Sequence, residues 1–395
     1  MNPFNFSPIP HIRFGPGSIN DLGFVISGFG KKIALLTGQS SLKTSGFYER
    51  IESLLSGVRI EYVTKTVSEE PSPELIDSIS SYLRGGKIDV VVSIGGGSVI
   101  DAGKAVSAML KADGPVIDYL ENVGSKQHSG RKVPFIAIPT TAGTGSEATA
   151  NAVLSRLGPK GFKKSLRHIN FTPDVAIVDP ELTTGCPPDV TAACGMDAFT
   201  HLLESYVSIK ASPMTDALAE SGMAFVRDNL VPACSTRAHD TVTRGAMAYA
   251  ALMSGITLAN AGLGVVHGMA SAIGGYYSIP HGVICGNLVG PATRATIQKL
   301  FAIDQKNPAL EKYARAGYLL AGTHVKNPAA SCEGCDLLLH TIDTWTRKLE
   351  LPSLSGFGFT ESDIKALAAE SGNKNNPVKL DKEDIRQIFS LAHYP

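Results

Sequence analysis

Through the first 180 residues, short β-branched runs alternate with amphipathic stretches; after Pro180 the alternation stops. The apolar runs predict strands at 32–38 (KIALLTG), 59–64 (RIEYVT), 89–96 (DVVVSIGG), 134–140 (PFIAIPT) and 174–180 (DVAIVDP). Helical spacing fills the gaps near 45–55, 73–83 and 98–110. Strands separated by helices are the pattern of a parallel sheet with crossover connections. Beyond residue 180 the strand signals give way to Ala/Leu-rich segments of helical period that run to the C-terminus. A chain of 395 residues also exceeds what one hydrophobic core organises. The expectation is therefore an α/β domain over 1–180 followed by an all-α domain over 181–395.

One run changes the picture locally. From Gly245 to Thr293 there is no Asp, Glu, Lys or Arg, a length that could span a bilayer. Its glycines, Pro280 and Pro291 break it into short pieces, and Asn260, His267, His281 and Asn287 lie inside it. A dry protein core fits better, and polar groups in such a core must be satisfied by each other or by a metal. The whole chain balances 36 basic against 36 acidic residues, so no basic surplus points to nucleic acid or an anionic membrane, and the expected partner is a small molecule. The N-terminus lacks a secretory pattern, which leads to the expectation of a cytoplasmic protein. Six cysteines are too sparse for a disulfide framework, and the lone Cys332/Cys335 pair reads as helix packing rather than metal binding.

Two glycine-rich turns carry the first chemistry. The strand at 89–94 runs into Gly95-Gly96-Gly97-Ser98 and a helix, which together offer backbone N–H groups and a helix dipole to a pyrophosphate. Glycine permits the close approach of phosphates, although a purely structural βα turn would look the same. The next strand ends in Pro139-Thr140-Thr141-Ala142-Gly143-Thr144-Gly145-Ser146-Glu147, whose hydroxyls and glycines would face the same crevice at the carboxyl ends of parallel strands. The first strand ends in Thr37-Gly38-Gln39-Ser40-Ser41. Where an acidic side chain would hold a ribose 2′-hydroxyl, Gly38 leaves room for a 2′-phosphate, which favours NADP over NAD, with Lys43 as an auxiliary.

The second chemistry is a set of four metal-ligand candidates. Asp197 and His201 stand four apart in a helical stretch and so project from one face. His267 follows the bend AGLGVVHG and His281 lies in IPHGVICG, both in the charge-free run. Three imidazoles and a carboxylate suit Fe²⁺ or Zn²⁺, and the residues do not separate the two. The other histidines, at 11, 128, 168, 239, 324, 340 and 393, read as surface or packing residues.

With these residues assembled, the chain resembles the iron-dependent, or group III, alcohol dehydrogenase family over essentially its full length. GGGSVIDAGKA, PTTAGTGSE, DPELT, GMDAFTHLLES, VVHGMA and PHGVICG occur in the family's order and spacing. The resemblance implies a Rossmann-like nucleotide domain and an all-helical metal domain, the dehydroquinate synthase-like fold, with a cleft between them and a homodimer. It implies hydride transfer between nicotinamide C4 and a small alcohol or carbonyl held at the metal. By motif, Asp197, His201, His267 and His281 would be the ligands. Gly96, Gly97 and Ser98 would hold the pyrophosphate, and Thr140, Thr141 and Thr144 would line the adenosine and phosphate region. Asp101 and Lys164 would reach the nicotinamide half and the ribose, while Gly38, Ser40, Ser41 and Ser72 complete the expected cofactor contacts. Phe162 and the small residues at 259–275 would set substrate size.

Two departures stand out. Many members carry a histidine four residues after the third ligand, as a proton relay; here it is Ser271. A hydroxyl passes a proton but does not store one near neutral pH, so either the relay runs through water or the substrate preference differs. Gly38 replaces the Asp of many NAD-specific members, as in members that use NADPH. Relatives with other chemistry, a maleylacetate reductase or a dehydroquinate synthase-like lyase, act on anionic substrates, and the ligand-bearing stretch 245–293 offers no Lys or Arg to bind one.

Overall fold

The computed structural model describes residues 3–158, 161–323 and 331–393. Eight strands are described: β1 (His11–Phe14), β2 (Lys32–Gly38), β3 (Glu61–Val67), β4 (Val90–Gly95), β5 (Phe135–Pro139), β6 (Asn151–Arg156), β7 (Phe162–Arg167) and β8 (Val175–Val178). Six form a fully parallel sheet in the order β1-β8-β5-β4-β2-β3. Helices α1 (Leu22–Ser27), α2 (Ser41–Thr44), α3 (Phe47–Gly57), α4 (Pro73–Leu83) and α5 (Gly97–Met109) lie between the early strands.

Strand alternation explains why the central strands read as continuous apolar runs. Ile33 and Leu35 of β2 face one layer, with Leu22, Ile26, Ile51 and Leu55 of α1 and α3. Ala34 and Leu36 face the other, with Ile76, Ile79, Ile100 and Val106 of α4 and α5. Both faces of the sheet are covered, so no position is left for a polar stripe. The chain steps from β2 outward to β3, then crosses back to β4 on the other side of β2. The reversal puts a crevice beyond the carboxyl ends of β2 and β4, at Gly38 and Gly95, where open α/β sheets bind ligands.

From Pro188 onward the described residues contain helices and no strand: α6 (Pro188–Val207), α7 (Pro213–Ala233), α8 (Thr241–Ala261), α9 (Val265–Tyr276), α10 (His281–Ile303), α11 (Pro308–Leu320), α12 (Cys332–Leu349), α13 (Glu361–Glu370) and α14 (Lys382–His393). The charge-free run forms α8, α9 and the start of α10, mostly buried. Among the described residues no single helix is long and apolar enough to cross a membrane, and α8 and α9 meet at 99°. All six cysteines are free; Cys332 is exposed and Cys335 buried at the start of α12. Of the seven other histidines, His324 lies outside the described residues, and His128 packs edge-on against Tyr119 and Phe171.

Four strands differ from the sequence reading. β1 was not expected; it is short, polar and half-exposed at the sheet edge, which leaves little periodicity to detect. The antiparallel pair β6–β7 was also missed, because it stands outside the main sheet and Lys163, Lys164 and Arg167 dilute its apolar positions. β3 begins later and ends later than expected: Arg59 takes a left-handed conformation (φ 55°) that belongs to the preceding turn, and the edge strand continues through the alternating Thr64–Val67.

The two halves meet at a backbone-to-backbone contact. Gly145, at φ 61°, presses against Gly255 in α8, so that a Cβ on Gly255 would fall 2.2 Å from the Gly145 carbonyl oxygen. Gly255→Ala should therefore push α8 off the turn and cost about 1–3 kcal/mol, as overpacking does. A lowered midpoint in urea unfolding is the expected outcome.

Candidate metal and nucleotide site

The two glycine turns touch. Gly96 is the N-cap of α5, with no side-chain cap, so the helix's first N–H groups are left for an external acceptor. A Cβ on Gly97 would lie 2.6 Å from Thr144 Cγ2, and one on Gly96 would lie 3.5 Å from Thr141 Oγ1. Glycine at 97 is thus needed for the turns to close on each other, and Thr141 and Thr144 face Gly96 and Gly97 across the crevice. Thr140 is anchored through its N–H to the Gly95 carbonyl at 3.0 Å.

A buried lysine fixes the second turn. Lys104 of α5, 1% exposed, donates to Ser146 O (2.8 Å), Thr149 Oγ1 (2.9 Å) and Asn151 O (2.7 Å). Burial pushes its ammonium down to about 8 and pushes the neighbouring Glu147 carboxyl up to about 7. Asp101, one turn earlier, accepts the Val153 N–H on Oδ2 at 3.0 Å, while its buried Oδ1 has no hydrogen-bond partner.

Gly38 ends β2, and Ser40 and Ser41 open α2 with exposed hydroxyls. Lys43 leans over the Tyr48 ring at 5.5 Å. The Ser72 hydroxyl is engaged as the N-cap of α4, accepting the Leu75 N–H at 3.2 Å. On β7, Lys164 shares the strand face of Phe162 and Leu166, whereas Lys163 points the other way, against α9 at Gly274, and pairs with Glu70 at 2.6 Å.

The four ligand candidates converge from three helices. Their donor atoms all lie within 4.8 Å of one another. Asp197 and His201 project from successive turns of α6, His267 from the first turn of α9 and His281 from the first residue of α10. Asp197 Oδ1 stands 3.5 Å from His267 Nε2 and 3.8 Å from both His201 Nε2 and His281 Nε2. Those separations are too long for hydrogen bonds. They suit co-ligands, since two donors of one ion at about 2.1 Å and a tetrahedral angle lie about 3.4 Å apart. Asp197 Oδ1 is buried without a hydrogen-bond partner.

At three of the four residues, protonation favours a cation. Burial would raise Asp197, but the three imidazoles outweigh it and hold its carboxyl well below the usual range. Burial lowers His201 to about 4 against the pull of Asp197, and it carries His281 well below the usual imidazole value. Both rings thus keep the lone pairs a metal needs. His267 goes the other way: burial lowers it, but Cys285, Asp197 and Glu204 together hold it well above the usual value. The cluster is closed except at His281, whose side chain is 24% exposed.

Sequence reading missed Glu204. It stands seven residues after Asp197 on the same face of α6, accepts the Val266 N–H on Oε1 (2.6 Å) and contacts His267 Nδ1 through Oε2 (2.7 Å). The contact fixes the His267 tautomer so that Nε2 faces Asp197. The 197/201/204 spacing was the available signal. Two cations near the cluster were also invisible in the charge-free stretch: Lys163 acts on His281, and Lys374 on Glu204 and His201. Ser271 lies one turn beyond His267 and donates its hydroxyl to the His267 carbonyl at 2.7 Å.

Family comparison agrees with this layout. The family described as "Iron-containing alcohol dehydrogenase" matches residues 10–180, and its C-terminal counterpart, "Fe-containing alcohol dehydrogenase family, C-terminal", matches 191–393. The chain belongs to the iron-containing alcohol dehydrogenase family. Like the family, it is a metal-dependent, nicotinamide-dependent alcohol dehydrogenase. It is 32% identical to an NAD-dependent methanol dehydrogenase of Bacillus methanolicus, over 98% of this chain and 99% of the relative. It is 30% identical to an NADPH-dependent butanol dehydrogenase of Clostridium saccharobutylicum, over 97% and 96%. A crystal structure of a 1,3-propanediol oxidoreductase superposes with a TM-score of 0.87 at 30% identity, covering 99% of this chain and all of that one. Relatives at this similarity thus include users of either nicotinamide cofactor.

Glu204→Gln preserves volume but turns an amide N–H toward either Val266 N or His267 Nδ1, breaking one of the two contacts. The expected outcome is a metal affinity about 10–100-fold weaker in a chelator competition.

Proposed function

We propose that residues 1–180 bind NADP in preference to NAD, and that residues 181–395 hold Fe²⁺, with Zn²⁺ as the alternative, through Asp197, His201, His267 and His281. The observation that carries the reading is the buried Asp197 oxygen ringed by three Nε2 atoms at co-ligand spacing. When bound, the ion supplies Lewis-acid polarisation of a small alcohol or carbonyl, and the nicotinamide accepts or gives the hydride. The protein's own residues position and exclude water. Glu204 orients His267, and the uncapped start of α5, with Gly96, Gly97 and Ser98, receives the pyrophosphate. Asp101 Oδ1, buried without a hydrogen-bond partner and 3.8 Å from Lys104 Nζ, suits the amide of a carboxamide, and Thr140, Thr141 and Thr144 line the opposite wall. Substrate enters past His281, the exposed edge of the cluster. The Ser271 hydroxyl is turned to its own helix, so a proton leaves through water at the His281 side.

NADP is supported by Gly38 at the carboxyl end of β2, with Ser40 and Ser41 exposed beside it and no acidic side chain in the loop. Six free thiols fit a cytoplasmic setting. A homodimer is supported by the exposed aromatic side chains of Phe14, at the end of β1, and Phe24, on α1, which are 43% and 73% exposed.

The deciding experiment strips the protein with chelator, restores Fe²⁺ or Zn²⁺ separately, and follows reduced-nicotinamide absorbance with a panel of small alcohols and aldehydes. Activity should vanish and return with the metal; no turnover with any pairing overturns the reading. For the cofactor, a Cβ on Gly38 meets nothing nearer than Ser41 Oγ at 3.4 Å, so aspartate fits there. Gly38→Asp should lower kcat/KM for NADP relative to NAD by about tenfold or more, a difference of about 1.4 kcal/mol per decade. An unchanged ratio would show that the loop does not face the 2′ position.

A further inference from the structure

Cys285 stands one turn after His281 on α10, on the same helical face, and is fully buried. A buried thiol is ordinarily a small apolar filler packed on carbon. This one is aimed at nitrogen: its Sγ lies 3.5 Å from His267 Nε2 and 3.7 Å from His281 Nε2. These are the ring atoms that also face Asp197. A nitrogen and a sulfur donor of one five-coordinate ion, at about 2.05 Å and 2.3 Å and about 90–120° from each other, are about 3.1–3.8 Å apart. Independently, the Asp197 side chain is 2% exposed and directs its unpartnered Oδ1 into the same space.

We propose that Cys285 is a fifth donor to the ion held by Asp197, His201, His267 and His281, and that its sulfur biases the site toward thiophilic divalent cations. The proposal rests on the four-ligand reading above. As the S–metal bond forms, the S–H bond breaks and its proton passes to the buffer, with no change of oxidation state. Sulfur ligation favours Zn²⁺, Co²⁺ and Cd²⁺ over harder ions such as Mn²⁺, which gain little from a thiolate. The three donor helices then share one anchor: α10 contributes two donors, His281 and Cys285, in the i, i+4 arrangement that α6 achieves with Asp197 and His201.

Cobalt reports the donors directly. Metal-free full-length protein is loaded with one equivalent of Co²⁺. The visible d–d bands show whether the ion is held, and a sulfur-to-cobalt charge-transfer band in the near ultraviolet shows whether a thiolate binds it. Both should appear in the native protein, and Cys285→Ala and Cys285→Ser should keep the d–d bands while losing the charge-transfer band. In chelator competition, Cys285→Ala should weaken Cd²⁺ binding by about tenfold or more while leaving Mn²⁺ binding within about twofold. Native protein that shows d–d bands without charge transfer overturns the fifth donor and leaves the four-ligand set standing, and it does so without reference to any variant. A charge-transfer band that survives in both variants also overturns it. Failure of the native protein to hold cobalt at all overturns both readings.

Discussion

An ionised carboxylate oxygen taken out of water must be met by a donor or a cation, and Asp197 Oδ1 is met by neither a hydroxyl nor an N–H at hydrogen-bonding distance. Around that constraint the helical half is arranged. α6 supplies the oxygen and one imidazole, α9 a second, α10 a third, and Glu204 turns the α9 ring so that its free nitrogen faces inward. The charge-free stretch 245–293 follows from the same constraint, since any further acid or base there would compete for the cation or the carboxylate. The low dielectric that makes an unpaired charge costly also makes a bound cation effective.

The sheet half is organised by contact between turns rather than by one residue. Gly97 lets Thr144 close on the start of α5, Gly145 lets the same turn rest on α8, and Lys104 pins its far end with three hydrogen bonds. One nine-residue turn therefore faces the cofactor crevice on one side and packs against the metal-bearing domain on the other. The glycine turns and the helices that carry the Asp/His cluster are brought into register by close contacts that tolerate no Cβ, at Gly97, Gly145 and Gly255.

Much of this was legible in the residues. The apolar runs located β2, β4, β5 and β8, and α4 spans the residues its spacing predicts, because a strand covered on both faces and a capped amphipathic helix both leave strong periodic signals. The four side chains that converge were readable from an i, i+4 Asp/His pair and two histidines in a charge-free run. What escaped depends on three dimensions. Glu204 and Cys285 look like ordinary helix residues until α6, α9 and α10 are packed together. The charge of Lys163 is felt at His281 only because the β6–β7 pair, itself poorly periodic, lies against α9. Ser72, expected among the cofactor contacts, also caps α4 by accepting the Leu75 N–H, a role that only the helix start shows.

The order of the sheet has a consequence for synthesis of the chain. Among the described residues β1 is made before the other strands, yet its only sheet partner is β8, the last of them. At about 5–20 residues per second, on the order of ten seconds pass between the emergence of one and the other. Through that interval an unpaired strand is a hazard, and β1 is four residues long, polar and half-exposed. A strand too weak to be seen in the sequence is also too weak to recruit the wrong neighbour while it waits for the right one.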